Sequence, residues 1–113
     1  MNGDCGVPRN PLALIRQCVL ERRIFWTYHV NMRLEQRAIT RDAIVGSLDS
    51  YEVIEAYPTD KYLPSWLIRA QFGTDVFHVL FALDVEHRNV RVVTAYRPIP
   101  SEWADDFRRR KRS

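Results

Sequence analysis

A histidine and two arginines recur at every fourth position in the stretch 26–37. On a helix, His29, Arg33 and Arg37 would form one row, because residues four apart are neighbours on the helix surface. A guanidinium group binds phosphate oxygens through paired N–H donors, and an imidazole exchanges protons near neutral pH. The row therefore predicts a site for a phosphate-bearing ligand. The alternative is that Arg33 and Arg37 are ordinary solvated helix residues, since exposure is the usual state of a charged side chain.

The helix that must carry this row is indicated by its neighbours. Thr27 stands where an N-cap residue belongs. The adjacent row is apolar and contains Trp26, Val30, Leu34 and Ala38. The sequence therefore predicts a helix that ends near Arg37 or Ala38 and packs against the protein beside the His-Arg-Arg row.

Two further helices flank this one. Apolar residues at helical spacing predict a helix over residues 12–23, opened by Pro11 at its first turn. Residues 24–26 are interpreted as a short apolar link. Thr40 is a second predicted N-cap, and the short helix that follows it is expected to end near Leu48.

After residue 50 the hydrophobic period changes from helical to alternating. Four strands are predicted, over residues 51–57, 65–72, 76–83 and 90–96. A final short helix is expected from Ser101. Helices followed by an antiparallel meander are typical of an α+β domain with N-terminal helices on one face of a roughly four-stranded sheet. The domain is expected to span residues 11–103, between a flexible lead (1–10) and a basic tail (104–113).

His78 interrupts the apolar strand 76–83. A buried polar group is costly unless it is hydrogen-bonded, so a partner must face it. With a three-residue turn at 73–75, His78 lies opposite Ala70 and shares the face of Trp66, and Thr94 or Tyr96 lies beside it on the next strand. The alternatives are a structural core histidine and a proton-transfer group. Tyr96 and Arg97 end that next strand, and strand ends often present functional side chains; Arg97 could bind a phosphate there or bond the end of the chain.

Composition excludes several classes of function. The chain lacks a glycine-rich phosphate loop, an HExxH motif and a CxxC pair, and its carboxylates are scattered. No metal and no cofactor is therefore expected. No apolar run is long enough to cross a membrane, and no signal peptide is recognised, so a reducing cytoplasm is the expected compartment.

The net charge of +3 is unevenly placed. Residues 108–112 supply five of the 17 basic side chains, and without them 12 basic residues face 14 acidic ones. This basic end either attracts nucleic acid or is a disordered solubilising tail.

Four stretches together resemble one family. They are residues 26–40 (WTYHVNMRLEQRAIT), 57–61 (YPTDK), 77–81 (FHVLF) and 93–98 (VTAYRP). In this order they are similar to the domain-of-unknown-function family 4258, with Met32-Arg33 where that family often has Arg-Met and Ala38 in place of its usual glycine. The resemblance implies a fold like that of the RelE-type and MqsR-type toxins. This is the barnase-like fold of ribonucleases that cleave RNA without a metal.

The resemblance also implies a toxin that cleaves RNA, including ribosome-associated mRNA, and that is bound by a cognate antitoxin protein. Cleavage without a metal needs a base, an acid and cationic groups for the phosphorane. His29 and His78 are the candidates for proton transfer, and Tyr96 for proton donation or base stacking. Arg33, Arg37 and Arg97 would hold the phosphate. The alternatives are a non-catalytic RNA-binding module and a toxin-like fold that only binds a protein.

Overall fold

The computed structural model describes residues 8–59 and 61–111. Within them the chain forms three α-helices, a five-stranded sheet and a two-stranded hairpin. The helices are α1 (Pro11–Leu20), α2 (Tyr28–Gln36) and α3 (Arg41–Gly46), and a 3-10 turn follows at Leu48–Ser50. The sheet strands are β1 (Ile24–Trp26), β2 (Glu52–Tyr57), β3 (Ser65–Phe72), β4 (Asp75–Asp84) and β5 (Asn89–Tyr96). The hairpin strands are β6 (Trp103–Ala104) and β7 (Arg109–Arg110).

Side-chain caps begin the helices where the sequence predicts them. Thr27 Oγ1 accepts from the Val30 N–H at 3.1 Å, and Thr40 Oγ1 accepts from the Ala43 N–H at 2.9 Å. Each of these bonds satisfies a donor that the first helical turn leaves unpaired. The capping prediction is confirmed for both helices, and Pro11 opens α1 as expected.

Left-handed residues end the first two helices. Arg22 follows α1 with φ 62°, and Ala38 follows α2 with φ 55°. Backbone bonds from Arg23 N to Cys18 O (2.8 Å) and from Ile39 N to Leu34 O (3.0 Å) complete the same C-terminal motif in each helix. Helix α1 therefore stops at Leu20, three residues before its predicted end.

The sheet contains one strand more than the sequence predicts. Strands β2 to β5 form the predicted antiparallel meander, in the spatial order β1-β5-β4-β3-β2. The segment predicted to be a link is β1, which pairs parallel to β5 with Ile24 opposite Val90 and Trp26 opposite Val92. Three residues are too few to show an alternating pattern, so only the tertiary pairing reveals this strand. The α+β class is confirmed, and the count of four strands is wrong.

Different parts of the chain pack against the two faces of the sheet. On one face, buried side chains of the three helices pack with Trp66, Ile68, Phe77 and Val79 in the hydrophobic core. The other face, here called the second face, carries Leu67, Arg69, His78, Leu80, Thr94 and Tyr96, as the strand register shows. The predicted position of His78 opposite Ala70 is wrong by one residue. Phe72 pairs with Asp75 across a two-residue turn, with Gly73 at φ 64°, so His78 lies opposite Arg69.

The C-terminal segment 103–111 folds onto the second face. Three left-handed residues, Asp105 to Phe107, connect β6 to β7. Arg108 bonds the Glu52 carboxylate at 3.0 Å, and Arg110 bonds that of Glu55 at 2.8 Å. The predicted helix from Ser101 is wrong, because the arginines pair with carboxylates more than fifty residues upstream. Because these arginines are paired, the segment that holds them is not the disordered tail that the sequence allows. Arg112 and residues 1–7 of the predicted lead lie outside the described residues.

Candidate functional site

The His-Arg-Arg row lines a groove between α2 and β5. His29, Arg33 and Arg37 form one wall of this groove, which encloses about 240 Å³. Val93, Thr94 and Ala95 of β5 form the opposite wall. The structure thus brings together three of the six residues that the sequence singles out.

The groove exists because β1 is shorter than β5. Strand β1 ends at Trp26, opposite Val92, so in the described part of the chain β5 has no strand partner on that side beyond Val92. Arg37 Nη1 takes the place of a strand and donates to the Ala95 carbonyl at 2.7 Å. The N–H and C=O of one strand residue point to the same side, so the Ala95 N–H also faces α2. The wall of the groove is therefore an open strand edge that one arginine partly satisfies.

A β-bulge marks the start of this open edge. The register between β4 and β5 shifts between Leu80 and Phe81, which pair with Thr94 and Val92. Val93 is the extra residue, and it is 47% exposed. Such a bulge bends a strand and redirects its side chains. Val93 and Thr94 were missed as site residues, because a bulge follows from the register and leaves no signal in the sequence pattern.

The groove is cationic. Among the described residues that line it there is no carboxylate. His29 and Arg33 are exposed, and neither side chain makes a hydrogen bond or an ion pair with any part of the chain that the structure describes. Arg37 is half-buried and keeps one guanidinium edge on Ala95. An anion that enters the groove therefore meets unpaired donors and displaces no acidic side chain of the described part of the chain.

Arg97 does not line the groove and acts as a clamp behind it. Its Nε and Nη2 each donate to the Asp75 carboxylate at 2.9 Å. Its guanidinium also donates to the carbonyls of Arg37 and Ala38, the latter at 3.1 Å. The hydrogen bond from Arg97 lowers the pKa of Asp75 below its usual value. Arg97 thereby ties the ends of β5 and α2 to the start of β4. The structure does not place Arg97 in the groove with Arg33 and Arg37, with which the sequence groups it.

His78 lies on the second face and is fully buried. Its Nε2 is 2.8 Å from the Phe107 carbonyl, which can only accept, so Nε2 carries the proton. In the neutral imidazole Nδ1 then accepts from the Tyr96 hydroxyl at 3.3 Å. The Trp103 ring packs edge-on at 4.3 Å between centroids. Burial lowers the pKa of His78, which favours the neutral imidazole, and the histidine binds the C-terminal segment to the sheet.

Tyr96 lines a separate pocket that adjoins the groove. This pocket, of about 300 Å³, lies on the second face and contains Tyr57, Tyr96 and Arg110. It shares Thr94 with the groove. Burial raises the pKa of the Tyr96 hydroxyl, so it is a poor acid at neutral pH. The six predicted residues therefore separate into the groove (His29, Arg33, Arg37), the clamp (Arg97) and the second face (His78, Tyr96).

These observations define the class of protein: an α+β domain with a cationic groove at an open strand edge. The family model described as "Domain of unknown function (DUF4258)" matches residues 26–97, which is more than half of the chain. The chain belongs to this family. No curated protein and no solved structure matches it.

The matched range places the groove within the family domain. It begins at the last residue of β1 and ends at Arg97, so it includes α2, β5 and the clamp. Helix α1 and the C-terminal hairpin lie outside it. In the described residues, no cluster of three or more histidine, cysteine or acidic side chains could hold a metal, and no helix has the length and apolar content for a membrane span.

Proposed function

We propose that this protein is a metal-independent ribonuclease and the toxin of a toxin–antitoxin pair. The observation that carries the proposal is the groove of His29, Arg33 and Arg37, which lies on an open strand edge and has no carboxylate among the described residues that line it. RNA is a chain of phosphate groups, and arginine is the side chain best suited to bind a phosphate through two parallel hydrogen bonds.

The proposed chemistry is transfer of the phosphodiester to its own ribose. His29 takes the proton of the 2′-hydroxyl, and the 2′-oxygen attacks phosphorus. The bond from phosphorus to the 5′-oxygen breaks, which gives a 2′,3′-cyclic phosphate, and solvent water protonates the leaving oxygen. Arg33 and the free edge of Arg37 donate to the non-bridging oxygens as charge develops on the phosphorane. A positioned base contributes roughly 10²- to 10⁴-fold to such a rate.

This proposal gives His78 and Arg97 structural roles. His78 is buried and bonded to Phe107, and Arg97 is occupied by Asp75, so neither supplies a group to the phosphate. Tyr96 remains the candidate for contact with a base beyond Thr94. The RelE-like, barnase-like assignment of the fold rests on the resemblance of the four sequence stretches. The antitoxin partner, ribosome-associated mRNA as substrate and a cytoplasmic location rest on that resemblance too.

A second candidate function is RNA binding without cleavage. The observation in its favour is that His29 is the one histidine among the described residues that line the groove, while His78 lies on the second face. A groove with arginines and no working base would bind RNA and leave it intact.

One set of variants separates the two functions. Wild-type protein, His29→Gln and Arg33→Ala are incubated with RNA in EDTA, and products are analysed for 2′,3′-cyclic phosphate ends. We expect cleavage by the wild type and a loss of at least 100-fold in both variants, with RNA binding retained only in His29→Gln. Arg16→Ala is the control, because it also removes one cation, on α1 outside the groove.

Induced expression tests the same site in cells. Growth arrest with RNA loss should occur for the wild type and for Arg16→Ala, and it should vanish in His29→Gln and Arg33→Ala. Undiminished cleavage by His29→Gln would refute the role of His29. Tight RNA binding by a wild type that leaves the RNA intact would favour the second candidate.

A further inference from the structure

A concavity larger than the groove lies beside it, near the loop that precedes β3. It encloses about 420 Å³. Lys61, Tyr62 and Leu63 of the loop form one side, and Arg91 and Val93 of β5 form the other. Thr27, the N-cap of α2, closes the end nearest the helix. Neither the phosphate chemistry nor the clamp uses this pocket.

The pocket and the groove share one lining residue. Val93 lines both of them, and it is the bulged residue at which β5 leaves its pairing with β1. Thr27 lies two residues before His29. A ligand that spans Val93 therefore places one part against His29 and Arg33 and another part in the pocket.

The chemistry of the pocket suits a flat aromatic group that is attached to an anion. Tyr62 is 85% exposed, and the Lys61 ammonium lies 5.2 Å from the centroid of its ring. This one ammonium covers one face of the ring, so the other face of the exposed ring is available for stacking. Leu63 and Val93 add apolar surface, whereas Lys61 and Arg91 supply positive charge at the rim. Nucleobases stack on exposed tyrosines, and the phosphates that flank them favour cations.

We propose that this pocket binds one nucleobase of the RNA strand whose phosphate occupies the groove, with Tyr62 as the stacking residue. The inference rests on the proposed function and adds to it a subsite for the base. A volume near 420 Å³ is within the range of small-molecule sites. The exposed tyrosine favours a base, and the two cations favour the phosphates that flank it; an apolar peptide has no charge for Lys61 and Arg91 to bind.

The test compares RNA strands with and without bases. A short single-stranded RNA and the same strand with abasic residues are titrated by fluorescence anisotropy against wild type, Tyr62→Ala and Tyr62→Phe. We expect Tyr62→Ala to bind the normal strand about 5- to 150-fold more weakly, which is the stacking contribution expected for one base. Tyr62→Phe should keep most of the affinity, and the abasic strand should bind equally to all three proteins.

Matched controls keep the two proposals distinguishable. Tyr28→Ala removes another exposed tyrosine, 79% exposed, from a position that lines neither cavity, and it should bind like the wild type. If Arg33→Ala loses affinity while Tyr62→Ala binds like this control, the base pocket is refuted and the phosphate site stands. If Tyr62 contributes to binding but no RNA is cleaved, the pocket stands and the nuclease fails. A wild type that binds no RNA overturns both.

Discussion

Replacement of Arg97 by alanine should destabilise the fold. The side chain makes four hydrogen bonds, two to the Asp75 carboxylate and two to the carbonyls of Arg37 and Ala38. These bonds join three chain segments that are distant in sequence, namely the start of β4, the end of β5 and the residues that follow α2. Alanine breaks all four and leaves the carboxylate without its cation.

The size of the loss follows from the exposure of the partners. The two side chains are 41% and 43% exposed, so solvent screens the ion pair and holds its contribution to about 1 kcal/mol even with two-point geometry. The two bonds to carbonyls together contribute about 1 kcal/mol after the same allowance for solvent. A total near 2 kcal/mol corresponds to a fall of roughly 10 °C in the melting temperature of a domain of this size.

Thermal unfolding followed by circular dichroism measures this loss. Asp75→Asn removes only the ion pair and should cost about half as much as Arg97→Ala. Adding 1 M salt should weaken the Asp75 contribution, and the bonds to the carbonyls should persist. The reasoning is refuted if Arg97→Ala melts like the wild type but loses RNA affinity as strongly as Arg33→Ala. Arg97 would then be the phosphate ligand that the sequence predicts.

Three further outcomes are expected. The pKa of His78 is lower in the folded protein than in the unfolded chain, so neutral His78 stabilises the fold above about pH 6.5, and this contribution falls as the pH drops from there towards the folded-state pKa. His78→Gln should remove that part of the pH dependence in melting curves recorded between pH 5 and 8. Ala38→Gly should raise stability by about 1 kcal/mol in urea unfolding, since Ala38 has φ 55°, and an unchanged or lower urea midpoint would contradict this. Arg37→Ala should cost about 1 kcal/mol through the lost bond to Ala95, whereas Arg33→Ala should leave the urea midpoint unchanged, and equal costs would contradict the assignment of Arg37 to the strand edge.

Local chemistry explains the parts of the fold that the sequence predicts. Thr27 and Thr40 cap helices because a threonine oxygen reaches the N–H three residues ahead, which is a contact within one turn. Strand β3 begins and ends at its predicted residues, since eight alternating residues between a proline and a glycine leave little freedom. The row of His29, Arg33 and Arg37 is visible for the same reason, because it depends only on the helical period.

The parts that are not predicted depend on contacts between distant segments. Strand β1 is three residues long and is defined by its pairing with β5. The length of the turn at Gly73 sets the face on which His78 lies, and a change of one residue reverses it. In the sequence, Arg108 looks like part of a solvated tail. Its partner Glu52 is identified only when the sheet places the two residues side by side. The sequence around these residues contains no pattern that identifies the distant residues they contact.

Arg37 links the protection of the sheet to the proposed site. Strand β5 is an interior strand as far as Val92 and an edge strand from Val93 onwards. Open edges invite pairing with another chain, and proteins often block them with a charged side chain. Arg37 blocks this edge by bonding the Ala95 carbonyl, while Arg33 and His29, one and two turns earlier on α2, reach the same edge with no partner among the described residues. The cation that guards the edge therefore belongs to the row proposed to bind phosphate. An RNA strand in the groove would need to leave the bond between Arg37 and Ala95 in place. We expect Arg37→Ala to lose RNA affinity and also to self-associate at high concentration. Sedimentation velocity would detect the self-association.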